Sequence, residues 1–193
     1  MPRKIIIVRH GQTDYNIKKI MQGHLDIPLN ETGNVQAQKV ANILKNEKID
    51  VFFSSDLQRA LRTVKVVLKH HKKPFHITKL LREKYFGKLQ GLSFEEIGEY
   101  ISKFGEQGNF SFRGREKEFG IETEAEVIER IRQFKKLLVQ HKNKTIAIFS
   151  HGGFIRRLLI YLGLPKKRVK TMYIPNAIPM VLIKKGSFYV LEE

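Results

Sequence analysis

The sequence predicts an α/β fold, a three-layer sandwich with a mostly parallel central sheet flanked by helices. Short, continuous, β-branched runs at Ile5-Ile6-Ile7-Val8 and Ile146-Ala147-Ile148-Phe149 read as strands buried on both faces. Strand-like runs alternate with segments whose apolar residues recur at helical spacing, the pattern of helices packed over a parallel sheet. Both buried runs also end in a histidine beside glycine: Arg9-His10-Gly11 and Ser150-His151-Gly152-Gly153. Ligands of open α/β sheets gather beyond the carboxyl ends of strands, so two imidazoles at two such ends can share one site. Arg9 beside His10 makes an anion the natural ligand.

In chain order, residues 3–8 form the first strand, and 10–31 a loop carrying Gly11, Gly23 and Pro28. A helix is predicted from Glu31 to Glu47, where Ala37, Val40, Ala41 and Leu44 form one apolar stripe. Val51–Phe53 is a short strand whose Phe52-Phe53 pair belongs to the core. Ser55 and Gln58 form a capping-box pattern ahead of a helix bearing Leu57, Ala60, Leu61, Val64 and Leu68. His70-His71-Lys72-Lys73 reads as its solvated, cationic end, and Phe75–Thr78 as another strand. Residues 80–121 interrupt the alternation. Ser93 and Glu96 resemble a capping box for a helix to Phe104, a Gly- and Arg-bearing loop follows, and the whole stretch is expected to lie over the sheet as a lid. A periodic helix over 122–141, with Val127, Ile131, Phe134 and Leu138, leads to the second buried strand at 144–149. A helix from Gly152 to Leu162 is closed by Gly163 and Pro165; the tail is predicted as strands at 170–174 and 179–184, turning at Lys185-Gly186 into 187–191. No repeat, low-complexity tract or linker divides the chain, so residues 1–193 read as one domain.

A chain of 193 residues with 41% apolar and 28% charged residues can bury a core without staples. It has no cysteine, which excludes disulfides, zinc–thiolate sites and thiol nucleophiles and fits a reducing compartment. The first strand follows the N-terminus directly, and no apolar run reaches membrane-spanning length; a cytoplasmic location is expected, with no membrane partner. The net charge of +17 comes from 36 basic against 19 acidic residues. These are scattered over 3–4, 18–19, 69–73, 135–144 and 166–170 rather than gathered into a stripe. They read as solvated faces that also steer acidic substrates, not as a nucleic-acid surface. A homodimer is compatible with the sequence. The seven histidines show no metalloprotease-like pair, so neither metal nor other cofactor is implied.

Four segments carry the chemistry: Arg9-His10-Gly11-Gln12-Thr13-Asp14-Tyr15-Asn16, Ser54-Ser55-Asp56-Leu57-Gln58-Arg59-Ala60, Leu81-Arg82-Glu83-Lys84-Tyr85-Phe86-Gly87 and Ser150-His151-Gly152-Gly153. In this order they closely resemble the histidine phosphatase superfamily, which includes cofactor-dependent phosphoglycerate mutases and many phosphatases. The resemblance implies a phosphoglycerate mutase-like fold over the whole chain. It makes His10 the nucleophile that forms a phosphohistidine; the imidazole must be neutral to attack, which a nearby arginine favours. Arg9 and Arg59 are expected to hold the equatorial phosphoryl oxygens, with His151 as a further donor. Glu83 matches the acid/base carboxyl that protonates the departing oxygen and then activates water. Asn16, Gln22, Gly23 and Gly152 are expected phosphate or substrate contacts, and His24, Arg113 and Arg115 are considered for specificity.

The chain also departs from the family pattern. Ile121-Glu122-Thr123 stands where many relatives have Gly-Glu-Ser, and Phe86 where mutases carry a tyrosine. The 80–121 stretch is shorter than in those mutases, with at best Arg113 and Arg115 replacing their paired arginines. A metal-independent phosphomonoesterase acting on a small phosphorylated metabolite is therefore the leading expectation. A phosphoglycerate-type phosphomutase and a catalytically inactive polyanion- or nucleic-acid-binding relative are the alternatives.

Overall fold

The computed structural model describes residues 1–104 and 114–192. Its strands are β1 (Lys4–Arg9), β2 (Val51–Ser54), β3 (Phe75–Ile77), β4 (Thr145–Ser150), β5 (Pro179–Lys185) and β6 (Phe188–Leu191). The helices are α1 (Asp14–Ile17), α2 (Glu31–Leu44), α3 (Gln58–Leu68), α4 (Phe94–Phe104), α5 (Glu124–Val139), α6 (Gly152–Tyr161) and α7 (Lys166–Thr171). The six strands form one mixed sheet in the order β3-β2-β4-β1-β5-β6. β1 to β4 run parallel, β5 is antiparallel to β1 and β6 antiparallel to β5.

The period-2 alternation of side chains splits each central strand between two cores. Ile5, Ile7, Val51, Phe53, Ile146 and Ile148 pack with Val127, Ile131 and Phe134 of α5 and with Phe154 and Leu158 of α6. Ile6, Val8, Phe52, Ala147 and Phe149 turn the other way, onto Val40 and Leu44 of α2 and Val64 and Val67 of α3. Helices on both faces explain why these strands read as continuous apolar runs. The helix after β1 and the helix after β4 thus lie on opposite faces of adjacent strands. Their divergence opens a crevice at the carboxyl ends, the topological switch point.

The described residues of the 80–121 stretch do not join the sheet. They contribute a third, smaller cluster of Leu89, Ile97, Phe119 and Ile121, with Met21 and Phe86 packed against it. Main-chain bonds stitch this region to the loop after α1: Gly91 donates to Met21, Met21 to Leu92 and Phe94 to Lys19, at 2.8–3.0 Å. The Ser93/Glu96 capping box forms as predicted, with Ser93 N–H on Glu96 and Glu96 N–H on Ser93 Oγ. Among the described residues no helix is long and apolar enough to cross a membrane.

Three local predictions differ from the structure. The 10–31 loop contains α1, nucleated by a Thr13/Asn16 capping box too short to leave an apolar period. Residues predicted as a strand at 170–174 are instead the end of α7 and its exit; Val169 alone turns inward, so the segment has no helical stripe to read. The Ser55/Gln58 pattern is not the cap of α3. The N-cap is Leu57, with no side-chain cap of its own, Ser55 Oγ accepts the Leu57 N–H, and Asp26 Oδ1, distant in sequence, accepts the Gln58 N–H at 2.7 Å.

Candidate active site

The parallel pairing of β1 with β4 sets Arg9 opposite Ser150, and the His10 N–H extends the ladder to the Ser150 carbonyl at 3.0 Å. His10 and His151, each the next residue, therefore leave the sheet edge side by side. Their ring centroids lie 5.1 Å apart, about the 4.8 Å spacing of neighbouring strands.

The two rings are fixed in opposite senses. His10 Nδ1 lies 2.7 Å from the Gly11 carbonyl, which can only accept, so Nδ1 carries the proton and Nε2 keeps its lone pair. His151 Nδ1 lies 3.2 Å from Arg59 Nε, which can only donate, so here Nδ1 accepts and Nε2 carries the proton. That Nε2–H and Arg9 Nε–H are both buried without a partner. Buried donors are ordinarily satisfied, and an anion would satisfy both. Burial, and after it the charges of Arg59 and Arg9, holds His10 well below the ordinary histidine range. Burial and Arg59 do the same to His151. Both imidazoles are neutral at pH 7, and burial contributes more to this than the arginine proximity that the sequence offered.

Arg59 is 1% exposed on the buried face of α3, together with Ala60, Thr63, Val64 and Val67. Its other contacts are Nη1 to the Leu25 carbonyl at 2.6 Å and Nη2 to the Gly23 carbonyl at 2.7 Å. With Nε on His151, three of five N–H groups hold the frame and two remain for a ligand. Burial lowers its pKa to about 10, so it stays cationic at neutral pH. One turn on, Thr63 Oγ1 accepts the Gly11 N–H at 2.9 Å and donates to the Arg59 carbonyl at 2.8 Å, tying the exit of β1 to α3. Arg9 Nη1 is anchored on the Ile174 carbonyl at 2.8 Å, and Asn176 Nδ2 holds the His10 carbonyl at the same distance.

Glu83 projects onto the first turn of α6. Its Oε2 accepts the Gly153 N–H at 2.8 Å, and its Oε1 accepts those of Phe154 at 2.9 Å and Lys84 at 2.8 Å. A carboxylate has about four acceptor positions, so the three bonds leave one for a proton or a further partner. A Cβ on Gly153 would fall 2.6 Å from Glu83 Oε1, whereas one on Gly152 would meet nothing closer than Arg9 Nε at 3.5 Å. Gly153 is thus the more tightly packed of the pair, beside Gly152, the expected phosphate or substrate contact.

The segment carrying Glu83 is clamped from three sides. Arg82 makes a two-pronged contact with Asp56 at 2.7 and 2.6 Å. Asp56, which burial alone would push up, is held below its ordinary value by the hydrogen bonds and charge of Arg82. Ser150 Oγ donates to the Leu81 carbonyl at 2.7 Å. Arg130, paired with Glu122, donates to the carbonyls of Leu80, Arg82 and Glu83. Asp56, Thr63, Ser150, Gly153 and Asn176 were not among the predicted site residues. The readable signal was Thr63, a polar residue four positions from Arg59 on an otherwise apolar helix face.

Of the other predicted residues, Asn16 closes the α1 capping box, its Oδ1 accepting from Thr13 N and Oγ1 at 3.1 Å. Gln22 Oε1 is buried without a partner. Gly23 has φ +49° and gives its carbonyl to Arg59, and Gln90 Oε1 occupies the place its Cβ would take. His24 Nε2 donates to the Glu83 carbonyl at 2.8 Å, a frame contact. Arg115 pairs with Glu118, and Arg113 lies outside the described residues. Ile121 is buried in the lid cluster, and Thr123 caps α5. Phe86 lines a cavity of about 740 Å³ on the Glu83 side of the site.

Comparison with known proteins agrees with this geometry. The model of the histidine phosphatase superfamily (branch 1) matches residues 5–191. Broad-specificity phosphatase YOR283W of Saccharomyces cerevisiae is 38% identical over 164 residues, 82% of this chain and 70% of that protein. The glucosyl-3-phosphoglycerate phosphatase of Mycolicibacterium vanbaalenii is 31% identical over 84% of this chain and 76% of its own length. A solved mycobacterial glucosyl-3-phosphoglycerate phosphatase, in complex with VO3, superposes with a TM-score of 0.80 at 28% identity, covering 98% of this chain and 97% of that one. By its four motifs, its fold and these matches, the chain belongs to the histidine phosphatase superfamily and is a phosphatase.

Proposed function

We propose that this phosphatase hydrolyses small phosphomonoesters in two steps through a phosphohistidine on His10 Nε2. The observation that supports this best is the opposed pair of rings: an imidazole lone pair on His10 beside an unpartnered Nε2–H on His151. In the first step the Nε2–P bond forms as the P–O ester bond breaks, and the departing oxygen takes a proton from Glu83. In the second, Glu83 takes a proton from water as that water attacks phosphorus. The N–P bond breaks, its electron pair returns to Nε2, and inorganic phosphate leaves. Arg9, the two free N–H groups of Arg59 and His151 Nε2–H hold the charge spread over the phosphoryl oxygens. Asn16, Gln22 and the Gly23 and Gly152 backbone would complete the cradle.

The test is phosphate release from a panel of phosphorylated metabolites, with His10→Ala alongside. We expect turnover by the wild type and a loss of at least ~10⁴-fold in the variant. Equal rates in the two proteins, or isomerisation of a phosphorylated three-carbon acid without free phosphate, would overturn the reading.

A further inference from the structure

The proposed mechanism leaves open where the leaving group goes, and the cavity beside Glu83 bears on this. Lys84, whose N–H bonds Glu83 Oε1, lines it. So does Arg157, which donates to the carbonyl of Gly153, the residue whose N–H bonds Glu83 Oε2. The cavity therefore adjoins the residues that hold the Glu83 carboxylate. Phe86, Leu89 and Ile121 form an apolar wall on the lid side, and Ile128 of α5 and Ile160 of α6 form another.

The charges on the lining are unequal. Among the described residues, five cations, Lys84, Arg156, Arg157, Lys166 and Lys170, meet two carboxylates, Glu116 and Glu124. Glu124 is shared by Lys84 and Arg157, which accounts for those two cations. Glu116 accepts the Gly114 N–H. Arg156 spends one N–H on the Val169 carbonyl, and it, Lys166 and Lys170 have no carboxylate partner among the described residues. Lys166 and Lys170 stand at i and i+4 on α7, the element the sequence pattern missed, so both can face one ligand.

We propose that the cavity is the leaving-group site and selects phosphomonoesters with an apolar body and a second anionic group at its far end. The body lies along the isoleucine-rich walls, and the distal anion meets Lys166 and Lys170 of α7. This inference rests on the phosphomonoesterase reading and adds the substrate class to it.

Matched substrates test it: hexyl phosphate and 6-phosphonooxyhexanoate differ only in the terminal carboxylate. The wild type should favour the carboxylate-bearing ester in kcat/KM by roughly tenfold, and the preference should shrink with added salt. The Lys166→Gln/Lys170→Gln double variant should bring the ratio close to unity. Lys69→Gln, at the C-cap of α3 on the other side of the sheet, should keep it, and thermal melting checks that both variants fold. Equal efficiency of the wild type toward the two esters would overturn the inference. So would cleavage of p-nitrophenyl phosphate with neither alkyl ester accepted. If no phosphomonoester at all is cleaved, the phosphatase mechanism itself falls, and the two failures are told apart.

Discussion

The strand-end floor of the site and the lid beside it are built by different means. On the floor, β1 and β4 deliver His10 and His151 by main-chain register, and Arg59, Thr63, Ser150 and His151 are all within 1% of full burial. The described part of the 80–121 stretch has no strand register; it is held by a few main-chain bonds to the loop after α1, a small apolar cluster, the Arg82–Asp56 and Arg130–Glu122 pairs and the Ser93 capping box. Register admits no small adjustment, because a one-residue slip turns every side chain to the opposite face. Side-chain clamps can be exchanged one at a time.

Glu83 belongs to both regions, and the largest effect is expected where they touch. Gly153→Ala adds one methyl 2.6 Å from Glu83 Oε1. The carboxylate is the far end of a flexible side chain, so it can move and the fold should tolerate the change. The proposed acid/base role does not tolerate that shift, since a displacement near 1 Å costs on the order of 10²-fold in rate. We expect kcat to fall about that much with a melting temperature close to wild type. Gly152→Ala, with 3.5 Å to spare, should have a smaller effect. Equal losses in the two variants would show that the Glu83 cap is not what the glycine serves.

A smaller effect is expected within the lid. Asp56→Asn keeps the shape of the Arg82 contact and removes its charge. Ser150 and Arg130 still hold the neighbouring carbonyls, so we expect kcat to fall roughly tenfold with KM little changed. The acid limb of the pH–kcat profile should shift with it, a readout that a purely structural role would leave in place. Asp56→Glu should recover part of the rate. Loss of KM alone would instead place Asp56 on the substrate.

The same division decides what could be read from the sequence. Strands buried on both faces announce themselves as apolar runs, and a parallel sheet puts whatever follows them at one edge; that is why His10, Arg9 and His151 were legible. Arg59 and Glu83 were legible through the motif around each. The residues that hold them were not. Asp56 grips Arg82, Gly153 makes room for Glu83, and Asn176 holds the His10 carbonyl, all through contacts between segments remote in sequence. The α7 strand prediction failed for a related reason, since a six-residue helix with one buried side chain shows no period. Capping at Ser93 was readable because both partners lie within one turn, whereas α3 borrows its cap from Asp26.

The smallest effect separates the two regions by pH. His10 and His151 are buried and held well below the ordinary histidine value, so the unfolded chain binds protons that the folded floor refuses. Their stabilising contribution is complete above pH ~6.5 and is lost as pH falls below it, with a slope of up to about 1.4 kcal/mol per pH unit for each ring. The carboxylate at the start of α5 behaves differently. Glu124, which burial opposes, is lowered to about 2 chiefly by hydrogen bonding to Arg157. Its contribution is present above the ordinary glutamate pKa, near 4.3, and disappears only as pH falls from there toward 2. Urea unfolding followed from pH 7.5 to 3 should therefore weaken in two stages. A His10→Asn/His151→Asn protein should lose most of the first stage and keep the second. A residual first-stage slope is expected from His24, His71 and His141, lowered mainly by partial burial. A wild-type midpoint that stays level from pH 7.5 to 5.5 would mean that the floor accepts protons as readily as the unfolded chain, and the neutral nucleophile would lose its physical basis.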